Sequence, residues 1–191
     1  MIFDERPCSL GEGPLWHPLR NELFWFDINA KTLHSKAQSW QFELSVSAAG
    51  WVDENTLLVA SEIGLHRFDI ASGVLDAPMV NIEANNTVTR SNDGRADPWG
   101  GFWIGTMGYN AEAGAGAIYR FYKGEVRRLY SDMTITNAIC FTPDRKHAHY
   151  TDTITRKIMR APLDPDTGWP NAAPQVWVDL TAAGLSPDGA V

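Results

Sequence analysis

The sequence predicts an all-β chain folded as a β-propeller, and three observations carry that expectation. One short phrase recurs: Glu12 in LGEGPLW, Gly50 in AAGWVDE, Asn92-Asp93 in SNDGRADP, Asn137 in ITNAICFTPD and Asp188 in SPDGAV. Steps of 38, 42, 45 and 51 residues separate these points, close to the span of one four-stranded propeller blade. Between them, runs of four to seven β-branched and aromatic residues alternate with Gly-, Asn-, Asp- and Pro-rich turns, the pattern of short strands. No window sustains a 3.6-residue apolar period over helical length.

The elements of each repeat follow one order. A small or polar residue heads a short apolar strand, as in Pro14-Leu15-Trp16 or Ala138-Ile139-Cys140-Phe141. A turn such as HPLRNE, VDENT, ADPWGG or TPDRK comes next, because these residues set the dihedrals a tight reversal needs. A second strand runs through LFWFDI, LLVASE, FWIGTM or HAHYTDT, and a third ends near a basic residue in GLHRFD, GAIYRF and RKIMRA. A β-sandwich also has short strands and frequent turns, but it does not predict the same phrase returning at each period. The stretch DPDTGWPNAAP reads as a long turn inside a blade. The expectation is one incomplete propeller domain over residues 1–191, about four blades and the start of a fifth, with the C-terminal blades outside this sequence. Closing a propeller ring removes exposed sheet edges, and Asp188 sits where a further inner strand begins.

The composition excludes several classes of function. The chain has 191 residues, 44% hydrophobic and 20% charged, enough for a real core. Its net charge of −7 has no basic block, which argues against nucleic acid or an anionic membrane as partner. No apolar run approaches the roughly 18 residues of a membrane span. The N-terminus MIFDERPCSLGEG lacks the basic start and apolar stretch of a signal peptide, so a cytoplasmic protein is expected. Two cysteines, Cys8 and Cys140, are too few for a disulfide framework and lack zinc-site spacing; they read as small buried thiols. Eight Trp suit packing between stacked sheets.

Equivalent positions of a propeller converge on its axis, so Glu12, Asn137 and Asp188 are candidates to share one site. Each alone is ordinary turn chemistry; the shared phase of the repeat is what singles them out. Two carboxylates and an amide oxygen form a hard donor set, suited to calcium, magnesium or manganese, with zinc or iron(II) also compatible. In an extended Thr89-Arg90-Ser91-Asn92-Asp93-Gly94, Arg90 and Asn92 point to one side, where a guanidinium and a carboxamide can grip hydroxyl or carboxylate oxygens. Asp93 and Asp97 can serve the turn of this loop rather than the site. His147 and His149 share a strand face on a second strand and are read as exposed surface. Ser186 has no histidine at an obvious partner position.

Together LGEGPLWHPLRNELFWFDI, SNDGRADPWGGFWIGTM, GAIYRF, ITNAICFTPDRKHAHYTDT and SPDGAV resemble the regucalcin/gluconolactonase family, also known for senescence-marker protein and luciferin-regenerating enzyme. The resemblance covers essentially the whole chain. It implies a six-bladed propeller holding one divalent cation, calcium first, at Glu12, Asn137 and Asp188. It implies Asp188 as catalytic acid/base, and Arg90 and Asn92 as substrate contacts. Some members have an acidic substrate contact soon after the GTM motif; Glu112 is out of that register and inherits no such role. The expected activity is metal-dependent hydrolysis of a sugar lactone. The rival readings are a non-catalytic calcium-binding propeller and a calcium-dependent phosphotriesterase or arylesterase, the latter calling for more axial ligands than this chain offers.

Overall fold

A computed structural model describes residues 2–191 as strands joined by turns, with one 3-10 turn at Thr153–Thr155. The residues form two compact units, one running to Asn85 and the other from Asn86 to Val191. Each unit holds two antiparallel meanders, and each meander is one propeller blade. The fold is therefore all-β, as expected.

In the first unit, β1 (Gly11–His17), β2 (Glu22–Asp27), β3 (Thr32–Ser35) and β4 (Ser39–Gln41) pair in sequence order. The second blade follows with β5 (Val46–Trp51), β6 (Thr56–Ser61), β7 (Gly64–Asp69) and β8 (Val74–Leu75), and β9 (Val80–Asn81) also pairs with β7. The second unit repeats the arrangement. Its third blade is β10 (Thr89–Ala96), β11 (Phe102–Gly108), β12 (Gly116–Tyr122) and β13 (Glu125–Met133). Its fourth is β14 (Thr136–Phe141), β15 (His147–Asp152), β16 (Lys157–Pro162) and β17 (Gln175–Asp179). The stretch DPDTGWPNAAP lies between β16 and β17, a long turn inside a blade, as read from the sequence.

Local chemistry sets these meanders. Lys123 and Gly124, at φ 49° and 81°, join β12 to β13 as a two-residue reversal whose twist matches the strands it connects. Asp27, at the end of β2, accepts N–H bonds from Ser9 (2.7 Å), Leu10 (3.1 Å) and Ala30 (3.1 Å). Burial acts to raise the pKa of Asp27, but those donors outweigh it and hold the carboxyl below its ordinary value. Asp152, at the end of β15, does the same for Thr134 and Ile135, at 2.8 and 3.0 Å. Each aspartate thus ties down the chain that leads into its blade's inner strand.

The apolar core of each unit sits between its two blades. In the first unit, Phe24, Phe26 and Leu33 meet Val46, Leu57, Val59 and Phe68, with Trp40 and Phe42 each edge-on to Phe68 at 5.5 Å. In the second, Trp103 and Ile118 meet Ile139, Ala148, Tyr150 and Ala161, and Tyr130 stacks on Tyr150 at 4.4 Å. Burial of each large side chain contributes about 1.5–3 kcal/mol, so these faces align the inner strands that carry the candidate residues. The thiols differ from expectation: Cys8 and Cys140 are free but only half-buried.

Candidate metal and substrate centre

Each inner strand carries a β-bulge, and in three of the four the bulge lies at a candidate residue. The register breaks between Glu12 and Leu15 in β1, between Ser91 and Gly94 in β10, and between Asn137 and Cys140 in β14. A bulge leaves residues unpaired and re-aims their side chains. The residues following Glu12 and Asn137 share one left-handed conformation: Gly13 and Ala138 both have φ 56°. Ala138 is fully buried, so a strained non-glycine backbone persists there because packing over-determines it. Gly13 also needs its bareness, since a Cβ would run into the Ser47 carbonyl oxygen.

In β5 the break falls between Val46 and Ala48. The position matching Glu12 and Asn137 is therefore Val46, and Gly50 lies further along the strand, opposite Leu58. The sequence phase sets Gly50 level with Glu12, but strand pairing puts the bulge of this blade earlier in the strand. The second blade offers apolar Val46 at that position.

Glu12 belongs to the first unit; Arg90, Asn92, Asn137 and Asp188 belong to the second. One hydrogen-bond relay runs through this second set. Arg90 Nη1 donates to Asn92 Oδ1 (2.8 Å), and Asn92 Nδ2 donates to the Thr136 carbonyl (2.9 Å) and toward Asn137 Oδ1 (3.4 Å). Asn137 Nδ2 donates to Thr153 Oγ1 (2.9 Å), and Thr153 Oγ1 donates to the carbonyl of Pro187 (2.9 Å), the residue before Asp188. Arg90 and Asn92 do share a side of β10, and both are buried together with Asn137. Thr153 was not among the sequence candidates; the one signal available was a hydroxyl residue directly after the strand-ending Asp152.

Beside this relay, Asp93 Oδ2 accepts the Ile139 N–H at 2.7 Å. Arg95 donates from Nε to the Ile139 carbonyl (2.9 Å) and from Nη2 to the Ala190 carbonyl (2.7 Å). Burial pushes the Asp93 carboxyl above its ordinary value; the Ile139 and Gly94 N–H groups and Arg95 pull it back, and the charge of Asp188 adds to the rise. Asp188, itself exposed, thus lies within electrostatic reach of Asp93. Carboxylate oxygens with the Asn137 amide oxygen are donors suited to a hard divalent cation, and the Arg90 and Arg95 guanidiniums stand among them. Among the described residues no group of three or more His, Cys, Asp or Glu is disposed to hold a metal; the expected set has two such residues and an amide.

The remaining polar candidates have structural occupations. Asp97 is not confined to its turn: it forms a buried ion pair with Arg120 at 2.7 Å. Both Glu112 carboxylate oxygens bond back to Asn110, at 2.9 and 3.0 Å, within their own turn. His149 is buried rather than exposed, its ring 4.3 Å from that of Trp177, because β17 lies next to β16 in the same blade and carries a tryptophan over it. Ser61 Oγ and His66 Nε2 stand 2.7 Å apart, a nucleophile–base spacing, yet both are buried and His66 Nδ1 is spent on the Asp76 carbonyl at 2.8 Å. That pair braces the β6–β7 hairpin.

The sequence profile of the SMP-30/gluconolactonase/LRE-like region matches residues 10–191. The chain belongs to this family. A family relative in Rhizobium meliloti (strain 1021), named as a candidate sugar lactone lactonase, is 38% identical over 99% of this chain and 66% of its own length. A 6-deoxy-6-sulfogluconolactonase of Pseudomonas putida is 30% identical over 97% of this chain and 65% of its own length. A crystal structure described as a calcium-binding protein, regucalcin, from Agrobacterium tumefaciens str. C58 superposes with a TM-score of 0.94 at 39% identity. That match covers 97% of this chain and 65% of the other. The chain thus spans just under two thirds of the length of these relatives.

Proposed function

We propose that the protein carrying this chain hydrolyses a sugar lactone, an aldonolactone, with one divalent cation held by Glu12, Asn137 and Asp188. The observation that carries this reading is the relay from Arg90 through Asn92 and Asn137 to the residue preceding Asp188. It joins groups suited to gripping a polyol with groups suited to a cation. Glu12 enters the set by its place in the family motif and by the bulge that presents it. Lactonase names among the relatives support the same reaction.

A bound cation of this kind supplies Lewis acidity toward a carbonyl oxygen and toward water. The chain's own residues do the rest. The Arg90 guanidinium, aligned by Asn92, orients sugar oxygens and turns binding into alignment. The Asp188 carboxylate takes a proton from the attacking water. The water oxygen bonds to the lactone carbonyl carbon, the ring C–O bond breaks, and the proton passes to the departing ring oxygen, leaving the open hydroxy acid. Calcium is the first choice of metal, on hard-donor chemistry and on the description of the Agrobacterium protein. That description also favours the second reading, a calcium-binding propeller without turnover.

Gluconolactone hydrolysis by the purified protein, with and without chelator, separates the two readings. Chelator-sensitive hydrolysis is the expected result, and Asp188→Asn should keep the fold and remove most turnover. Undiminished hydrolysis by Asp188→Asn would rule out its assigned role, and calcium binding with no turnover would favour the regulatory reading.

A further inference from the structure

We propose that Thr153 is the positioning residue of this centre, one hydroxyl that orients the Asn137 amide and locates Asp188; the proposal rests on the metal-centre reading above. The proton inventory of the hydroxyl fixes its role. Pro187 offers only its carbonyl to Thr153 Oγ1, at 2.9 Å, and a carbonyl only accepts. The single proton of the Thr153 hydroxyl is therefore committed to Pro187. Toward Asn137, 2.9 Å away, the hydroxyl then has only lone pairs to offer, so Asn137 must present its NH2 end. Asn137 Oδ1 is left on the opposite side of the amide, where the Asn92 side chain reaches it at 3.4 Å. The oxygen rather than the nitrogen is thereby delivered as a donor atom, whichever way the amide could otherwise turn.

The same bond fixes the other ligand. Asp188 directly follows Pro187, and Arg95 Nη2 holds the Ala190 carbonyl at 2.7 Å. Asp188 is thus bracketed between two anchors, one from Thr153 and one from β10. Thr153 is itself set by its N–H bond to the Ile135 carbonyl (2.9 Å) at the head of the 3-10 turn. Asn137 lies on β14 and Asp188 in an irregular segment far along the chain, so one hydroxyl couples an inner strand to a segment that no strand pairing connects to it.

Ca2+ and Mn2+ titrated calorimetrically into the metal-stripped full chain test this. Thr153→Val keeps the shape and removes the hydroxyl; Thr153→Ser keeps the hydroxyl. Thr153→Val should weaken metal binding by about 10–100-fold, while Thr153→Ser stays within about threefold of the native chain. Melting without metal controls for folding, and if the valine variant does not fold, Thr153→Ala is compared with Thr153→Ser in its place. Native affinity in Thr153→Val overturns the proposal, provided Asn137→Ala and Asp188→Asn lose binding. Equal loss in Thr153→Val and Thr153→Ser also overturns it, since packing and not the hydroxyl would then matter. Native affinity in Asn137→Ala and Asp188→Asn instead sinks the metal-centre reading itself.

Discussion

Replacing Asp97 tests the packing of the second unit at its most exposed weakness. The Asp97 and Arg120 side chains are both 0% exposed, and Oδ2 receives Arg120 Nε at 2.7 Å. Asp97 Oδ1 separately accepts the Trp99 and Gly101 N–H groups at 2.9 and 2.8 Å. The guanidinium lies 4.5 Å from the Tyr122 ring and 4.4 Å from that of Trp169, and its two terminal nitrogens have no hydrogen-bond partner among the described residues. Asp97 is thus the counter-charge of a fully buried cation. Removing one partner of such a pair costs about 3–5 kcal/mol, because the other charge stays desolvated. Asp97→Asn keeps an oxygen for the two N–H groups but removes the charge and turns an NH2 toward the Arg120 Nε–H that Oδ2 accepts; Asp97→Ala loses that oxygen too and should cost roughly 1–2 kcal/mol more. For a chain of this size the melting midpoint should fall by on the order of 10 °C. Denaturant titration read by tryptophan fluorescence gives the numbers directly, since Trp99 and Trp169 flank the pair. Adding Arg120→Met to Asp97→Asn should recover part of the loss. A midpoint for Asp97→Asn equivalent to the native value within about 1 kcal/mol would refute the claim that this charge is uncompensated once its partner is gone.

Two further perturbations follow from the same geometry. Gly13→Ala should cost about 2–4 kcal/mol, combining left-handed backbone strain with overpacking against the Ser47 carbonyl. Gly124→Ala, at similar φ but with open space around it, should cost only about 1 kcal/mol; equal urea midpoints for the two variants would refute the steric part. Burial pushes the His66 imidazole below its ordinary pKa, with the Asp76 carbonyl bond opposing it. The unfolded chain then binds a proton more readily than the folded one, so the contribution of His66 is fully present above pH ~6.5 and is lost as pH falls toward the folded value. Stability measured between pH 7.5 and 5.5 should therefore decline, with a slope of at most about 1.4 kcal/mol per pH unit from this one group. His66→Gln should flatten that slope, and an unchanged slope would remove the histidine from the account.

Much of the fold was legible along the chain because its signals are local. The apolar phrases LFWFDI and HAHYTDT became β2 and β15, and the aspartate ending each became a backbone clamp. The turns lay where Asn, Asp, Gly and Pro placed them. The Gly50 position was misread because the spacing of the repeat says nothing about which strand register will bulge; pairing with β6 decides that. His149 was misread because its burial comes from Trp177, a residue on another strand of the blade.

The amino-acid order alone determined that the chain builds repeated antiparallel meanders and that oxygen-bearing side chains stand on the inner strands of three of them. Strand periodicity, turn chemistry and residue type are properties of neighbours in sequence, so they need no partner from afar. Which atom of Asn137 is offered, what locates Asp188 and which aspartate neutralises Arg120 were decided only by the folded chain. Each of those depends on where the proton of one group meets the lone pair of another across a long stretch of sequence, and only packing brings such pairs within bonding distance.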